Sequence, residues 1–185
     1  MSELEDRIKS TIERILYPTL PYRSLKKDHS VLKNVNPILC SQCKGKCCKQ
    51  CGCHFSPDDF KEISFEFLKA EIEKGYISID HVPSELLLER FGVNILRVRN
   101  QNAPIVETWP RKSSPCILLT EKGCKLNYKK RPSGGQLLIP SKKGKKLICH
   151  SKYDIDDCCY EWKPHQKIIQ QLIDYFKDKE IPCSI

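Results

Sequence analysis

Leu4, Ile8, Ile12, Ile15 and Leu16 recur at helical spacing and give the first seventeen residues one apolar stripe. Ser2-Glu3-Leu4-Glu5 forms a capping box ahead of it, and Pro18 stops it. The stripe reads as a packing face. Residues 21–37 show no periodicity and read as a connecting arm. Ser56-Pro57-Asp58-Asp59 then offers an N-cap, a proline at the first helical position and acid in the first turn. Phe60, Ile63, Phe67, Leu68 and Ile72 make the apolar face of that helical region, with a break available at Ser64 and Gly75 as its end.

Tyr76 to His81 and Ile95 to Val98 read as short strands, with a helical turn over 84–91 between them. Thr120-Glu121-Lys122-Gly123 turns a hairpin whose arms are Cys116–Leu119 and Cys124–Tyr128. A second hairpin has arms 137–139 and 147–149, with Lys142-Lys143-Gly144-Lys145-Lys146 at its tip. A helix follows from Asp154 to about Lys163. After an interruption at Pro164, Ile168, Ile169, Leu172, Ile173 and Phe176 form the apolar face of a last helix. No internal repeat or low-complexity segment is present. The expected fold class is α+β: helices around a small antiparallel sheet and hairpins, in one compact domain over 1–185.

No stretch approaches the ~18 uninterrupted apolar residues of a spanning helix. Met1-Ser2-Glu3-Leu4-Glu5-Asp6 is acidic where a secretory signal is basic and then apolar. The expectation is a cytoplasmic protein with no membrane partner.

Cysteine changes the picture. Twelve of 185 residues are Cys, against one Met. In a reducing compartment such usage points to metal before disulfides, and a chain this long needs no staple to make up for a small core. The expected organisation is then an N-terminal helix and arm (1–36), a metal-binding core (37–163) and a C-terminal helix (164–185). The densest run is Cys40-x2-Cys43-x3-Cys47-Cys48-x2-Cys51-x-Cys53, too rich in Cys and Gly to read as regular structure. Two residues between sulfurs let one tight turn present both to a metal while its amides support them. The register fits neither the bacterial ferredoxin run nor the finger and ribbon patterns, which need a second pair 12–20 residues on.

Neighbouring side chains diverge in most backbones, so Cys47-Cys48 and Cys158-Cys159 each serve two sites or include one thiol that only packs. Cys158 and Cys159 open a helix, where the dipole favours a thiolate. Cys183 reads as a bystander. Arg131 beside Pro132 is placed to neutralise cluster sulfurs through N–H···S bonds.

These cysteines also follow a known order. Cys40-x2-Cys43-x3-Cys47-Cys48, then Cys116-Ile-Leu-Leu with Cys124 eight residues on, then Tyr128-x2-Arg131-Pro132, resembles the CxxCxxCC family of zinc- or iron-chelating, YkgJ-like cysteine-cluster proteins. The resemblance runs from Cys40 to Pro140 and extends toward Cys159. It implies a metal or cluster held by Cys40, Cys43, Cys47 or Cys48, Cys116, Cys124 and Cys149. The family usually carries a Cys after Arg-Pro where this chain has Gly135, so the resemblance implies that Cys149, or His150 beside it, substitutes. Gly135 would then leave an open coordination position for a small-molecule or protein substrate.

The full candidate ligand set is Cys40, Cys43, Cys47, Cys48, Cys116, Cys124, Cys149, Cys158 and Cys159, with Cys51, Cys53 and His150 in reserve. Wide scatter and only five His favour an iron–sulfur cluster of 4Fe–4S type; zinc is the alternative. The leading expectation is therefore a cysteine-cluster protein using that centre for redox or cluster-based catalysis. A second is a zinc-stapled, non-catalytic module whose basic hairpin binds a partner. Residues 111–163 hold 13 Lys or Arg against 5 Asp or Glu, most of the +9 surplus. Nucleic acid is the lesser partner for that face, because the aromatic interleaving of single-strand binders is thin. A third, protein-lysine modification, comes from relatives alone. The chain has no Gly-rich nucleotide loop, and Cys43-x3-Cys47-x3-Cys51 misses the radical-enzyme spacing by one residue.

Overall fold

A computed structural model of the chain describes residues 37–84, 92–108, 113–144 and 146–180. The chain divides after Ser30, and everything described lies in the unit Val31–Ile185. The expected N-terminal helix and arm, most of the turn over 84–91 and Cys183 lie outside the described residues.

Two apolar strands start the core. β1 (Ile77–Val82) and β2 (Val93–Val98) pair antiparallel, from Ile77 opposite Val98 to Val82 opposite Val93. β3 (Val106–Thr108) joins the other edge of β1 in parallel, with Ile79 opposite Val106, so the sheet is mixed and not the antiparallel one expected. Three residues are too few to show a period, which is why the pattern misses β3. Residues 53–55 line the outer edge of β2: Phe55 donates its N–H to Leu96 O at 2.9 Å, and Val98 donates to Cys53 O at 2.9 Å.

Three helices cover this sheet. α2 (Phe65–Glu73) buries Leu68 and Ile72. α4 (Ile155–Trp162) opens on an Asp154/Asp157 capping box and buries Trp162 completely. α5 (Gln166–Glu180) follows a short 3-10 turn at Lys163–His165 and buries Ile169, Leu172, Ile173 and Phe176, the apolar face read from the sequence. Each fully buried Leu or Ile contributes roughly 1.5–3 kcal/mol.

Arg97 is also fully buried, in the middle of β2. Its guanidinium donates to Asp80 at 2.6 Å, Glu107 at 2.7 Å, Asn100 Oδ1 at 2.8 Å and Val98 O at 2.9 Å. A desolvated charge is tolerable only when it is paired and hydrogen-bonded in this way.

The helix expected from Ser56 is only a 3-10 turn, Pro57–Asp59; α2 starts at its own cap, Ser64. The physical cause is Asp59. Its carboxylate accepts from Ser56 N at 2.9 Å, and also from Ser133 N at 2.7 Å and Ser133 Oγ at 2.8 Å, which anchors the turn to a distant segment. Phe60 leaves the turn extended.

The rest is built from short pieces. α1 (Pro37–Cys43) and a 3-10 turn (Lys46–Lys49) occupy the run expected to be irregular. β4 (Leu119–Thr120) and β5 (Gly123–Cys124) form the first hairpin with arms shorter than expected. A 3-10 turn at Tyr128–Lys130 leads into α3 (Ser133–Gln136). β6 (Leu138–Lys143) and β7 (Lys146–Ser151) form the second hairpin, with arms longer than expected; Lys143 faces Lys146, so these lysines belong to strands and not to a loose tip. Among the described residues no helix is long and apolar enough to cross a membrane.

Candidate metal centre

Three segments bring sulfur to one place. Leaving α1, the chain turns through Lys44 and Gly45, both at positive φ. A Cβ on Gly45 would lie 2.5 Å from Leu119 Cδ1, so glycine serves both the turn and the contact. Gly45 O accepts Cys48 N at 2.9 Å and closes the 3-10 turn that carries Cys47 and Cys48. Cys48 O in turn accepts Cys116 N at 2.7 Å, binding the first segment to the second. Cys116 is buried, and its Sγ accepts from Leu118 N at 3.4 Å. Across the β4–β5 hairpin Cys124 stands opposite Leu119.

Cys48 is the centre of the sulfur group. Its Sγ lies 3.9 Å from Cys47 Sγ, and Cys116 and Cys124 are near enough to act on its ionisation. These neighbours, Cys116 first, push its pKa far up and keep it protonated. The partners move the other way. Cys47 and Cys124 fall to about 6 and Cys116 falls below its ordinary range, in each case first through Cys48. Arg131 adds positive charge at Cys47 and Cys124, and Arg97 adds it at Cys116. Cys47, Cys116 and Cys124 are thus driven toward thiolate, and guanidinium groups stand nearby. Thiolate is the form that binds metal.

Cys53 belongs to the same neighbourhood. Burial raises its pKa first, and the charges of Cys116, Cys124 and Cys47 raise it further. A Cβ built on Gly135 would meet Cys53 Sγ at 3.0 Å and Arg131 Cβ at 3.3 Å. The Cys53 sulfur thus stands beside Gly135, the position where the resemblance implies a missing ligand. Arg131 keeps its expected place: it bonds Cys124, stacks over Tyr128 with 5.8 Å to the ring centroid, and donates Nε to Leu126 O at 3.4 Å.

The other candidates lie elsewhere in the chain. Cys40 and Cys43 are in α1, Cys43 and Cys51 being half-buried. Cys149 and His150 stand on β7 opposite Pro140 and Ile139. Cys158 and Cys159 are buried within α4. There Cys158 Sγ donates to Phe55 O at 3.5 Å, and burial holds its thiol well above its ordinary range. That is the environment of a packing thiol.

As they stand, no three His, Cys, Asp or Glu side chains among the described residues are spaced around a single ion. The donor chemistry fits: four thiols that influence one another's ionisation, with two cations nearby, suit a thiophilic metal and no hard one.

No protein-family model, curated protein or solved structure matches the chain.

Proposed function

We propose that Cys47, Cys48, Cys116 and Cys124 form a thiolate metal centre, with Cys53 as an adjoining fifth sulfur. The observation that carries the reading is the convergence of three segments on Cys48: its Sγ stands 3.9 Å from Cys47 Sγ, its backbone oxygen holds Cys116, and Cys116 and Cys124 act on its ionisation. For a single tetrahedral ion the distance matters. Zn–S bonds of about 2.3 Å put neighbouring sulfurs about 3.8 Å apart, and the Cys47–Cys48 pair stands at 3.9 Å. A zinc staple is therefore the form the spacing favours. Its role would be structural: it ties the 3-10 turn that carries Cys47 and Cys48 to Cys116 and the β4–β5 hairpin, in a compartment that keeps thiols reduced, such as the cytoplasm.

Iron–sulfur ligation is the second reading. It is favoured by the surplus of sulfur, since Cys53, Cys43 and Cys40 exceed what one zinc takes, and by Arg131 and Arg97, whose charges would offset an anionic cluster. A resemblance to CxxCxxCC proteins accords with either metal.

Anaerobic purification followed by metal and acid-labile sulfide analysis tests this. About one zinc per chain without colour supports the staple, and iron matched by sulfide in a brown protein supports the cluster. A protein with neither metal, and with every thiol reactive under native conditions, overturns both.

A further inference from the structure

A cleft of about 360 Å³ is lined in part by Leu118 and Leu126, from the segments that hold the sulfurs. Phe55, Phe60, Phe67 and Tyr76 give it aromatic walls. Its two acids are already engaged. Asp59 accepts from Ser56 and Ser133, and Glu71 holds Lys74 at 2.6 Å and the Tyr76 hydroxyl at 2.8 Å. Its two lysines are not: among the described residues the ammonium groups of Lys61 and Lys130 have no ion pair or hydrogen bond, and both are exposed at the rim. The walls are apolar and the uncompensated charge is positive.

We infer that this cleft is a binding site for a small organic anion: an aryl or alkyl body against the aromatic walls, with its anionic head at Lys61 and Lys130. Pocket anatomy of this kind, an apolar lining with a few polar groups that fix orientation, is the usual form of small-molecule sites. The position has a consequence. Leu118 and Leu126 line the cleft, and their backbone amides bond Cys116 Sγ and Cys124. A molecule bound there lies against the peptide groups that support the sulfurs. Leu118, Leu126, Lys130 and Pro132 belong to the sulfur-bearing region, so the cleft is tested on chain whose metal content is known.

Calorimetric titration of the full, anaerobically purified chain with three molecules of one apolar body tests this: 4-phenylbutyrate, 4-phenylbutanol and 4-phenylbutylamine. Metal content is measured on every preparation, so loss of the centre and loss of anion binding are read separately. The expected result is one site for the carboxylate, at least about tenfold tighter than the alcohol, and no binding of the amine. Replacing both cations, Lys61→Glu with Lys130→Glu, removes the advantage of the carboxylate, while Lys142→Glu with Lys143→Glu leaves it. Near-ultraviolet circular dichroism checks that each variant is folded. Equal affinity for carboxylate and alcohol, a carboxylate preference that survives Lys61→Glu with Lys130→Glu, or no binding of any probe overturns the proposal.

Discussion

Around β1 and β2 the interior is closed by hydrocarbon: Leu68, Ile72, Ile79, Leu96, Trp162 and Leu172 are fully buried, and the buried charges Arg97 and Asp80 are paired with each other. Around Cys116 and Cys124 the regular elements shrink to two-residue strands, single 3-10 turns and a four-residue helix. Leu118, Leu119 and Leu137 pack toward the core there, and cysteines lie among them. The first region can pay its ordering entropy from burial alone. The second has short elements, and on the proposed reading a metal bonding several segments at once would add to its stability. Thiols divide in the same way. Cys158 in the first region behaves as a small apolar side chain, whereas Cys47 and Cys124 in the second are driven toward thiolate.

The sharpest way to break this comparison is Cys116→Ser. Bound metal should fall from full occupancy to background by elemental analysis, while the circular dichroism of α4 and α5 persists. A variant that keeps its metal would remove Cys116 from the centre.

Next in size is Asp80→Ala, which leaves Arg97 buried without its closest partner. Breaking a buried pair costs about 3–5 kcal/mol, and urea unfolding should show a loss of that order with metal content per folded chain unchanged. A loss below ~1 kcal/mol would mean that Glu107 and Asn100 suffice. Cys158→Ala should cost only about 1 kcal/mol through lost packing and keep the metal. Loss of metal in that variant would join two sulfur populations held here to be separate. Smallest is the triple change of Lys142, Lys143 and Lys146 to Gln on the exposed hairpin, expected within about 0.5 kcal/mol of the parent and neutral for metal.

Much of the first region was legible in the sequence. α4 carries a capping box and α5 a 3.6-residue period, both local signals that the structure keeps. What failed had long-range causes. The Ser56 helix stops because Asp59 is held by Ser133, 74 residues away. The buried Arg97–Asp80 pair left a faint trace, one charge of each sign inside the apolar runs Ile77–Val82 and Val93–Val98, which only their pairing explains.

In the second region the sequence named Cys47, Cys48, Cys116, Cys124 and Arg131, because spacing and motif order are local. It took the Cys40–Cys53 run for irregular structure because clustered Cys and Gly erase hydrophobic periodicity. The place of Cys53 beside Gly135 was not readable, since it depends on residues 53–55 bonding the edge of β2.

The most direct measurement is hydrogen exchange on the chain as purified, and again after metal is stripped by a strong chelator under reducing, anaerobic conditions. Amides of 43–53 and 114–136 should exchange at least about tenfold faster without metal, while those of β1, β2, α4 and α5 keep their protection. Equal acceleration in both regions, or no change in either, would contradict a sulfur-lined region that depends on metal beside a core that does not.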